Sequence, residues 1–178
     1  MEPQEILNFW FEELDSKDRF SNNLELDEKI TIQFTDLYKV AAKGELFKWR
    51  SSPTGRLAEI IVLDQFPRHI FRNQPEAFGT DKMAILLAQE MVLLGLDQQV
   101  PVDMRIFVCM PYMHSESRII HDEAVRLFSN PGMEEGPIYE VDQKKIIDQF
   151  GRFPHRNGIL HRLSTFKELE FLQNHRGH

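Results

Sequence analysis

The stretch that decides the fold is residues 52–72, which read SPTGRLAEIIVLDQFPRHIFR. The Ser-Pro pair that opens it is typical of a helix start, because it supplies a capping side chain followed by a first-turn proline. The apolar residues that follow, and then Asp64 and Arg68, recur at spacings of three and four, the period of an α-helix. The stretch therefore predicts a helix, and Pro67 marks a point where that helix can end.

Asp64 falls on the same face of this predicted helix as the apolar residues. A carboxylate on a buried face must be paired, since removing its charge from water costs several kcal/mol. Arg68 follows four residues later and is within reach on a helix surface. We therefore predict an Asp64–Arg68 pair at the inner face, although Pro67 leaves open whether one helix carries both residues.

Apolar residues follow a helical spacing through nearly the whole chain, both before and after this stretch. Asp27 is the predicted cap of a second helix that ends near Gly44, and Thr165 with Glu168 forms a capping-box pattern for the last helix. Residues 15–23 are polar and predict a loop. The other predicted segments are residues 6–14, residues 80–94, residues 101–110, residues 115–128 and a segment ending at Gly151. Seven or eight short helices in helical hairpins predict an all-α fold.

Two apolar runs could instead be strands, residues 60–63 and residues 106–108. In that alternative, an α/β fold, Asp64 would lie at the carboxyl end of a strand, where many phosphatases and hydrolases keep an acidic nucleophile. No second aspartate follows two residues later and no glycine turn follows, so the all-α prediction is preferred.

Composition limits the class of protein. The chain has 178 residues, of which 42% are hydrophobic, enough to bury a core in one domain spanning residues 1–178. The net charge of −7 argues against binding to nucleic acid or to an anionic membrane. Residues 150–178 are locally basic, which predicts either an anion-favouring face or a complement to an acidic neighbour in the fold.

The N-terminal residues and the single cysteine indicate a cytoplasmic protein. Met1–Glu5 is acidic and lacks the layout of a secretory signal, and no uncharged apolar stretch is long enough to span a bilayer. Cys109 has no cysteine to pair with and lies in an apolar run, which predicts a buried core residue. The residues give no oligomeric state.

Histidines and charged residues are concentrated beside three prolines, in residues 66–69, 110–116 and 153–157. Helix ends in a compact bundle often cluster, so these side chains could line one polar pocket. Candidates for catalysis are Asp64, His114, Glu116 and His155, because an imidazole titrates near neutrality and a carboxylate can fix its tautomer. Candidates for ligand binding are Arg68, Arg72, Arg152, Arg156 and Asn157, since arginine forks match carboxylate or phosphate.

Three motifs resemble a known bacterial family: residues 63–72, residues 110–116 and residues 150–157, with Phe9–Phe11 similar to the opening of that family. The family is the one catalogued as domain of unknown function 924. The resemblance implies an all-α fold similar to tetratricopeptide-like arrays, and no established activity. Gln143 stands where the family often has a histidine, and His161 stands where a glycine is usual.

Several hypotheses for function remain open at this point. The candidate residues could be structural, with Arg68, Glu116 and Arg152 as ion-pair partners while His114 and His155 cap backbone carbonyls. They could bind a small anionic ligand or an acidic peptide, or act as a hydrolase-like enzyme with a His/carboxylate pair. A protein-interaction scaffold is a third class. No nucleophile elbow, phosphate loop or metal-ligand motif is present, so no metal or cofactor is predicted.

Overall fold

The protein is described by a computed structural model that covers residues 1–19, 22–133 and 136–174, with the side chains of residues 136–139 not described. Those ranges contain α-helical segments and no strand. The helices are α1 (Pro3–Leu7), α2 (Ser16–Arg19), α3 (Leu24–Ala42), α4 (Pro53–Asp64), α5 (Phe66–Ile70), α6 (Asp81–Leu93), α7 (Val102–Met113), α8 (Arg118–Phe128), α9 (Gly136–Phe150) and α10 (Phe166–Asn174). The all-α prediction is confirmed, and the α/β alternative is wrong.

Short turns of other helical types complete the chain. A π-helical segment, Asn8–Glu13, continues α1. Turns of 3-10 helix occupy Phe47–Ser51, Pro75–Phe78, Asp97–Gln99 and Pro154–Arg156. The helical segments exceed the predicted seven or eight because α2 and α5 are single turns too short to show a helical period in the sequence.

Most of the helix contacts join helices that are adjacent in the chain or separated by one helix. The contacts run from α3 to α5, α4 to α6, α6 to α7, α7 to α8 and α8 to α9. Helix α4 also contacts α1, α3 and α7, so it lies at the centre of the array. This position explains its composition, since a helix surrounded by other helices is apolar on every face. The likeness to tetratricopeptide arrays stays a prediction.

The core is aromatic where the Asn8–Glu13 segment, α3, α5 and α7 meet. The Trp10 ring lies 5.8 Å from that of Phe66 and 5.7 Å from that of Phe107. Phe34 stacks on Phe66 at 4.6 Å. Ring pairs of this kind add about 0.5–1.5 kcal/mol each beyond the burial of their area. The packing joins the first helix to the centre of the fold.

Several predicted helix ends are confirmed. Ser52 caps α4, and its Oγ accepts from Gly55 N at 3.1 Å. Gly44 and Gly151 end α3 and α9 with φ angles of 76° and 70°, a region that glycine enters without strain. In the capping box of α10, Thr165 N donates to Glu168 Oε2 at 2.7 Å and Glu168 N donates to Thr165 Oγ1 at 3.3 Å.

Three local predictions are wrong. Asp27 does not cap α3; Asn23 does, with its Oδ1 accepting from Glu25 N at 3.0 Å, and Asp27 is buried inside the helix. Part of the predicted loop 15–23 is helical, as α2. Pro111 does not end α7, because the helix continues to Met113 and His114 N still donates to Met110 O at 3.0 Å.

The described helices bear on two further predictions. None of them is long and apolar enough to cross a membrane. Cys109 is buried in the core, as predicted, and burial raises the pKa of its thiol to about 12.

Candidate functional site

Asp64 is the last residue of α4 and is completely buried. Its Oδ1 accepts from His114 Nδ1 at 2.8 Å and from Arg68 Nη2 at 3.3 Å, and its Oδ2 accepts from Gln65 Nε2. Burial alone would raise the pKa of Asp64, but His114 and Arg68 hold that pKa well below its usual range. The predicted Asp64–Arg68 pair therefore forms, with its two members on separate helices.

His114 follows the last residue of α7 and completes a carboxylate–imidazole pair with Asp64. Burial and the charge of Arg68 lower the pKa of His114, and Asp64 opposes this effect. The imidazole is therefore neutral at neutral pH. Because its Nδ1–H donates to Asp64, its Nε2 carries the lone pair. Among the described residues no group hydrogen-bonds to Nε2, and the side chain keeps 16% of its exposure.

Asp81, the first residue of α6, links two arginines. Its Oδ1 accepts from Arg68 Nη2 at 2.8 Å, and its Oδ2 lies 3.5 Å from Arg156 Nη1. Burial raises the pKa of Asp81 against the opposing charge of Arg68, and the neighbouring Asp64 raises it further. We call Asp64, Arg68, Asp81, His114 and Arg156 the central cluster.

Arg156 is held between two aromatic rings. Its guanidinium carbon lies 4.6 Å from the centre of the Phe78 ring and 4.5 Å from that of Phe153. The side chain is only 8% exposed, and its Nε is buried without a hydrogen-bond partner. Burial and the charge of Arg68 lower the pKa of Arg156 to about 10. Within the described part of the chain, the 3.5 Å contact to Asp81 Oδ2 is the only hydrogen bond of the Arg156 side chain.

His155 lies beside this cluster and faces solvent. Its ring is 5.3 Å from that of Phe153. Partial desolvation and the charge of the adjacent Arg156 lower the pKa of His155 to about 4. The side chain is therefore neutral at neutral pH. Within the described ranges it makes no hydrogen bond to a backbone carbonyl, contrary to the structural hypothesis.

Glu116 and Asn157 belong to an adjoining network that fixes the turn carrying Arg156. Glu116 accepts from Phe153 N at 2.7 Å and from both terminal nitrogens of Arg162, at 2.5 and 2.9 Å. Asn157 accepts from Arg162 Nε at 3.0 Å and donates to Ser164 Oγ at 3.0 Å. Burial alone would raise the pKa of Glu116, but the hydrogen bonds from Arg162 hold that pKa below its usual range.

The other two candidate arginines lie outside the central cluster. Arg152 forms a two-point ion pair with Glu168, at 2.6 and 2.9 Å, which fastens α10 to the loop before it. Arg72 pairs with Asp27 on α3, with Nη2 at 2.6 Å from Oδ1, and His69 Nδ1 lies 2.8 Å from the same oxygen. Both guanidinium groups are thus already bound to carboxylates.

The structure adds residues that the sequence did not single out. Asp81 was interpreted only as part of a helix start, and no spacing rule pairs it with Arg68 or Arg156. Phe78 lies in a short 3-10 turn and stacks on Arg156. The one available signal was Asp64 itself, since a buried carboxylate predicts further donors around it.

A second histidine–carboxylate pair is sealed inside the protein. His121 Nδ1 lies 2.6 Å from Glu140 Oε1, and both side chains are completely buried. His121 Nε2 donates to Ser115 O at 2.8 Å. Across residues 1–19, 22–133 and 136–174, no group of three or more His, Cys, Asp or Glu side chains could hold a metal ion.

Comparison with known proteins assigns the family. Residues 6–176 match the family described as "Bacterial protein of unknown function (DUF924)". The chain belongs to that family. A solved structure from Agrobacterium tumefaciens, the protein of unknown function ATU0120, is 32% identical, covers 97% of each chain and has a TM-score of 0.88. No curated protein is significantly similar to the chain.

One departure from the DUF924 pattern now has a physical reason. His161 has a φ angle of 53°, in the left-handed region that favours glycine. This conformation accounts for the glycine that the family resemblance implies at the position. His161 directly precedes Arg162, whose backbone N donates to Asn157 O at 2.8 Å, so the strained turn lies inside the network that supports Arg156.

Proposed function

We propose that this protein binds a small anionic ligand at the central cluster, with Arg156 as the group that receives it. The observation that carries the proposal is the incomplete pairing of Arg156 among the described residues. Its side chain is 8% exposed, yet there it makes one contact of 3.5 Å to Asp81 and leaves its buried Nε without a partner.

A buried charge with so few hydrogen bonds is costly, because it has lost water without gaining an equivalent partner. Arg68 also has a buried Nε without a partner among the described residues, but its Nη2 donates to both Asp64 and Asp81. An anion that accepts from the free donors of Arg156 would supply the missing hydrogen bonds. The ring faces of Phe78 and Phe153 and the network around Glu116 hold the guanidinium in place for it.

The proposal is tested by measuring ligand-induced shifts in melting temperature with a panel of small carboxylates, phosphate and sulfate at matched ionic strength. Loss of one charge-assisted contact is expected to weaken binding about ten- to a hundredfold. We therefore expect Arg156→Gln to lose most of any shift seen with the parent protein.

Two control variants make this test specific. Arg126→Gln removes a positive charge from an exposed pair with Glu123 and should bind as the parent does. Arg152→Gln removes an arginine that is bound to Glu168, outside the central cluster. A panel in which no anion shifts the parent, or in which Arg156→Gln binds as tightly as Arg126→Gln, would refute the proposal.

General acid–base catalysis is a second candidate function, and the Asp64–His114 contact favours it. A neutral imidazole whose Nδ1 is fixed by a buried carboxylate presents Nε2 as a base that can accept a proton from a bound ligand or from water. His114 is linked to Arg156 through Asp64, Arg68 and Asp81, so an anionic substrate at Arg156 would lie in the same cluster as that base.

A hydrolase substrate panel tests this candidate. Activity should rise with pH below 6.5, the ordinary pKa of histidine, because His114 acts only when it has lost its proton. His114→Gln is expected to reduce kcat about a hundredfold or more. Asp64→Asn should reduce kcat similarly, because His114 is then no longer held in the tautomer with the proton on Nδ1. Equal activity in His114→Gln and the parent would exclude His114 as the base.

A further inference from the structure

We infer that the ligand of the central cluster is a monocarboxylate, bound edge-on by Arg156, and that Asp81 takes up one proton when it binds. This inference rests on the proposed function and specifies the chemical class of the ligand. Three features support it: the aromatic rings beside Arg156, the charge balance of the cluster, and the position of Asp81.

The shape around Arg156 favours a planar group. The ring centres of Phe78 and Phe153 lie 4.6 and 4.5 Å from the guanidinium carbon, so two aromatic side chains flank the group. An acceptor must therefore reach the guanidinium plane past these two rings. A carboxylate is planar and meets an arginine fork with two parallel hydrogen bonds in that plane. A tetrahedral oxyanion has oxygens outside that plane and takes more room beside the rings.

The charge balance of the cluster disfavours a dianion. Asp64 and Asp81 offset Arg68 and Arg156, and His114 is neutral. Each negative charge that enters adds repulsion from two carboxylates in a site with little water. One charge can be compensated by one proton. A phosphate or dicarboxylate would need two.

Asp81 is the group in position to take that proton. Its Oδ1 is bound by Arg68 at 2.8 Å, whereas its Oδ2 meets only the long 3.5 Å contact from Arg156. A proton on Oδ2 would remove that weak contact and provide a donor to the incoming carboxylate. Asp81 therefore changes from a competitor of the ligand into a partner.

Some of the groups around Asp81 favour its protonation and others oppose it. Asp64 on α4 favours protonation of Asp81, while Arg68 on α5, His114 after α7 and Arg156 in the turn Pro154–Arg156 oppose it. Burial is the largest influence and raises the pKa of Asp81. A bound carboxylate would add a further negative charge beside Asp81 and favour its protonation more strongly.

The test is isothermal titration calorimetry with acetate, propionate and benzoate, and with succinate and phosphate for comparison. Titrations in two buffers of different ionisation enthalpy measure the protons taken up. We expect a monocarboxylate to bind the parent with uptake of about one proton, so that affinity falls up to about tenfold for each pH unit above neutrality. Phosphate and succinate should bind more weakly.

Variants identify the group that takes up the proton. Asp81→Asn should abolish proton uptake, remove the pH dependence of binding and increase affinity above neutral pH. His114→Gln should retain the uptake, which separates Asp81 from the nearby imidazole. Arg156→Lys keeps the positive charge but lacks the planar fork, so it should lose preference for carboxylates over phosphate. Circular dichroism spectra would establish that each variant is folded.

The outcomes separate this inference from the proposed function. Tighter binding of phosphate or succinate, still lost in Arg156→Gln, would overturn the monocarboxylate inference and leave anion binding in place. Monocarboxylate binding without proton uptake, or with uptake unchanged in Asp81→Asn, would overturn the role of Asp81. Absence of binding by every anion in the panel would overturn both.

Discussion

At position 64, donors from three parts of the chain meet on one carboxylate: Gln65 from the adjacent position, Arg68 from α5 and His114 from the end of α7. A completely buried aspartate can remain charged only because these contacts replace the water it has lost. The local arrangement thus fixes two properties at once. It ties α5 and the end of α7 to Asp64 at the end of α4, and it sets the tautomer of His114.

The tautomer and the pKa of His114 can be measured by NMR of the imidazole nitrogens. We expect Nδ1 to carry the proton at neutral pH, and the ring to titrate below 6.5, because burial and Arg68 disfavour the charged form. In Asp64→Asn, the chemical shift of the His114 Nδ1–H proton should move away from the value typical of a hydrogen bond to a carboxylate. A His114 that titrates above 6.5 would contradict this assignment.

His161 offers a second prediction for a single residue. Its φ angle of 53° strains any side chain with a Cβ, so His161→Gly is expected to increase the free energy of unfolding by about 1 kcal/mol. Urea denaturation measures the change.

Asn73 is the matched control for His161, since it also has a positive φ angle, 62°, but is a residue type that tolerates this region better. Asn73→Gly should therefore stabilise the protein less than His161→Gly. The strain interpretation would be refuted by a His161→Gly protein that is no more stable than the parent.

Helix α4 is approached closely at Gly55 by the segment that precedes it. A Cβ at Gly55 would lie 2.1 Å from the backbone oxygen of Trp49, which no side-chain movement can relieve. We expect Gly55→Ala to reduce the free energy of unfolding by about 2 kcal/mol or more, because the Phe47–Ser51 turn must move away from α4.

Gly158→Ala is the control for this substitution, since a Cβ there meets nothing within 4 Å. Its effect should stay within about 0.5 kcal/mol, the usual range for a change at the surface. Similar denaturation midpoints for the two alanine variants would show that the backbone of the Phe47–Ser51 turn can adjust.

Helices could be predicted from the sequence where a hydrophobic period and a cap coincide, as at Ser52 for α4 and Thr165 for α10. The hydrophobic period does not detect helices of a single turn, and it does not predict where a helix ends near a proline. Pro111 lies in the last turn of α7, where its missing N–H removes one bond without ending the helix. A rule based on proline alone therefore ended the helix too early.

The site was less predictable than the fold because ion pairs depend on distances between helices. The Asp64–Arg68 pair follows from a spacing of four residues, but Asp81 and Arg156 are 75 positions apart in the sequence. The sequence likewise could not reveal that Arg72 is bound to Asp27 and Arg152 to Glu168. All four arginines look alike in the chain, and only their partners distinguish Arg156.

For the molecule as a whole, the histidines predict how stability depends on pH. The pKa values of His69, His114 and His155 are all lowered, mainly by desolvation. A histidine whose pKa is lower in the folded state contributes stability above 6.5 that is lost as pH falls, because the unfolded chain binds its proton more readily. Asp64, whose pKa is lowered, adds a further loss of stability as pH falls below 3.8. Asp81, whose pKa is raised, has the opposite effect on stability.

We therefore expect the free energy of unfolding to decrease as pH falls below 6.5. The slope should reach about 1.4 kcal/mol per pH unit for each proton by which the unfolded state exceeds the folded state. Urea denaturation at a series of pH values measures it. His114→Gln should give a shallower slope than the parent, and an unchanged slope would mean that His114 does not contribute.

The single buried cysteine gives this protein a natural reporter of its own opening. Cys109 is 2% exposed, and its thiol, with a pKa of about 12, is almost never in the reactive thiolate form while the chain is folded. A thiol-specific reagent can modify the parent chain only when α7 separates from its neighbours. The rate of labelling would thus report how often the core opens, with no engineered probe and no background from a second site.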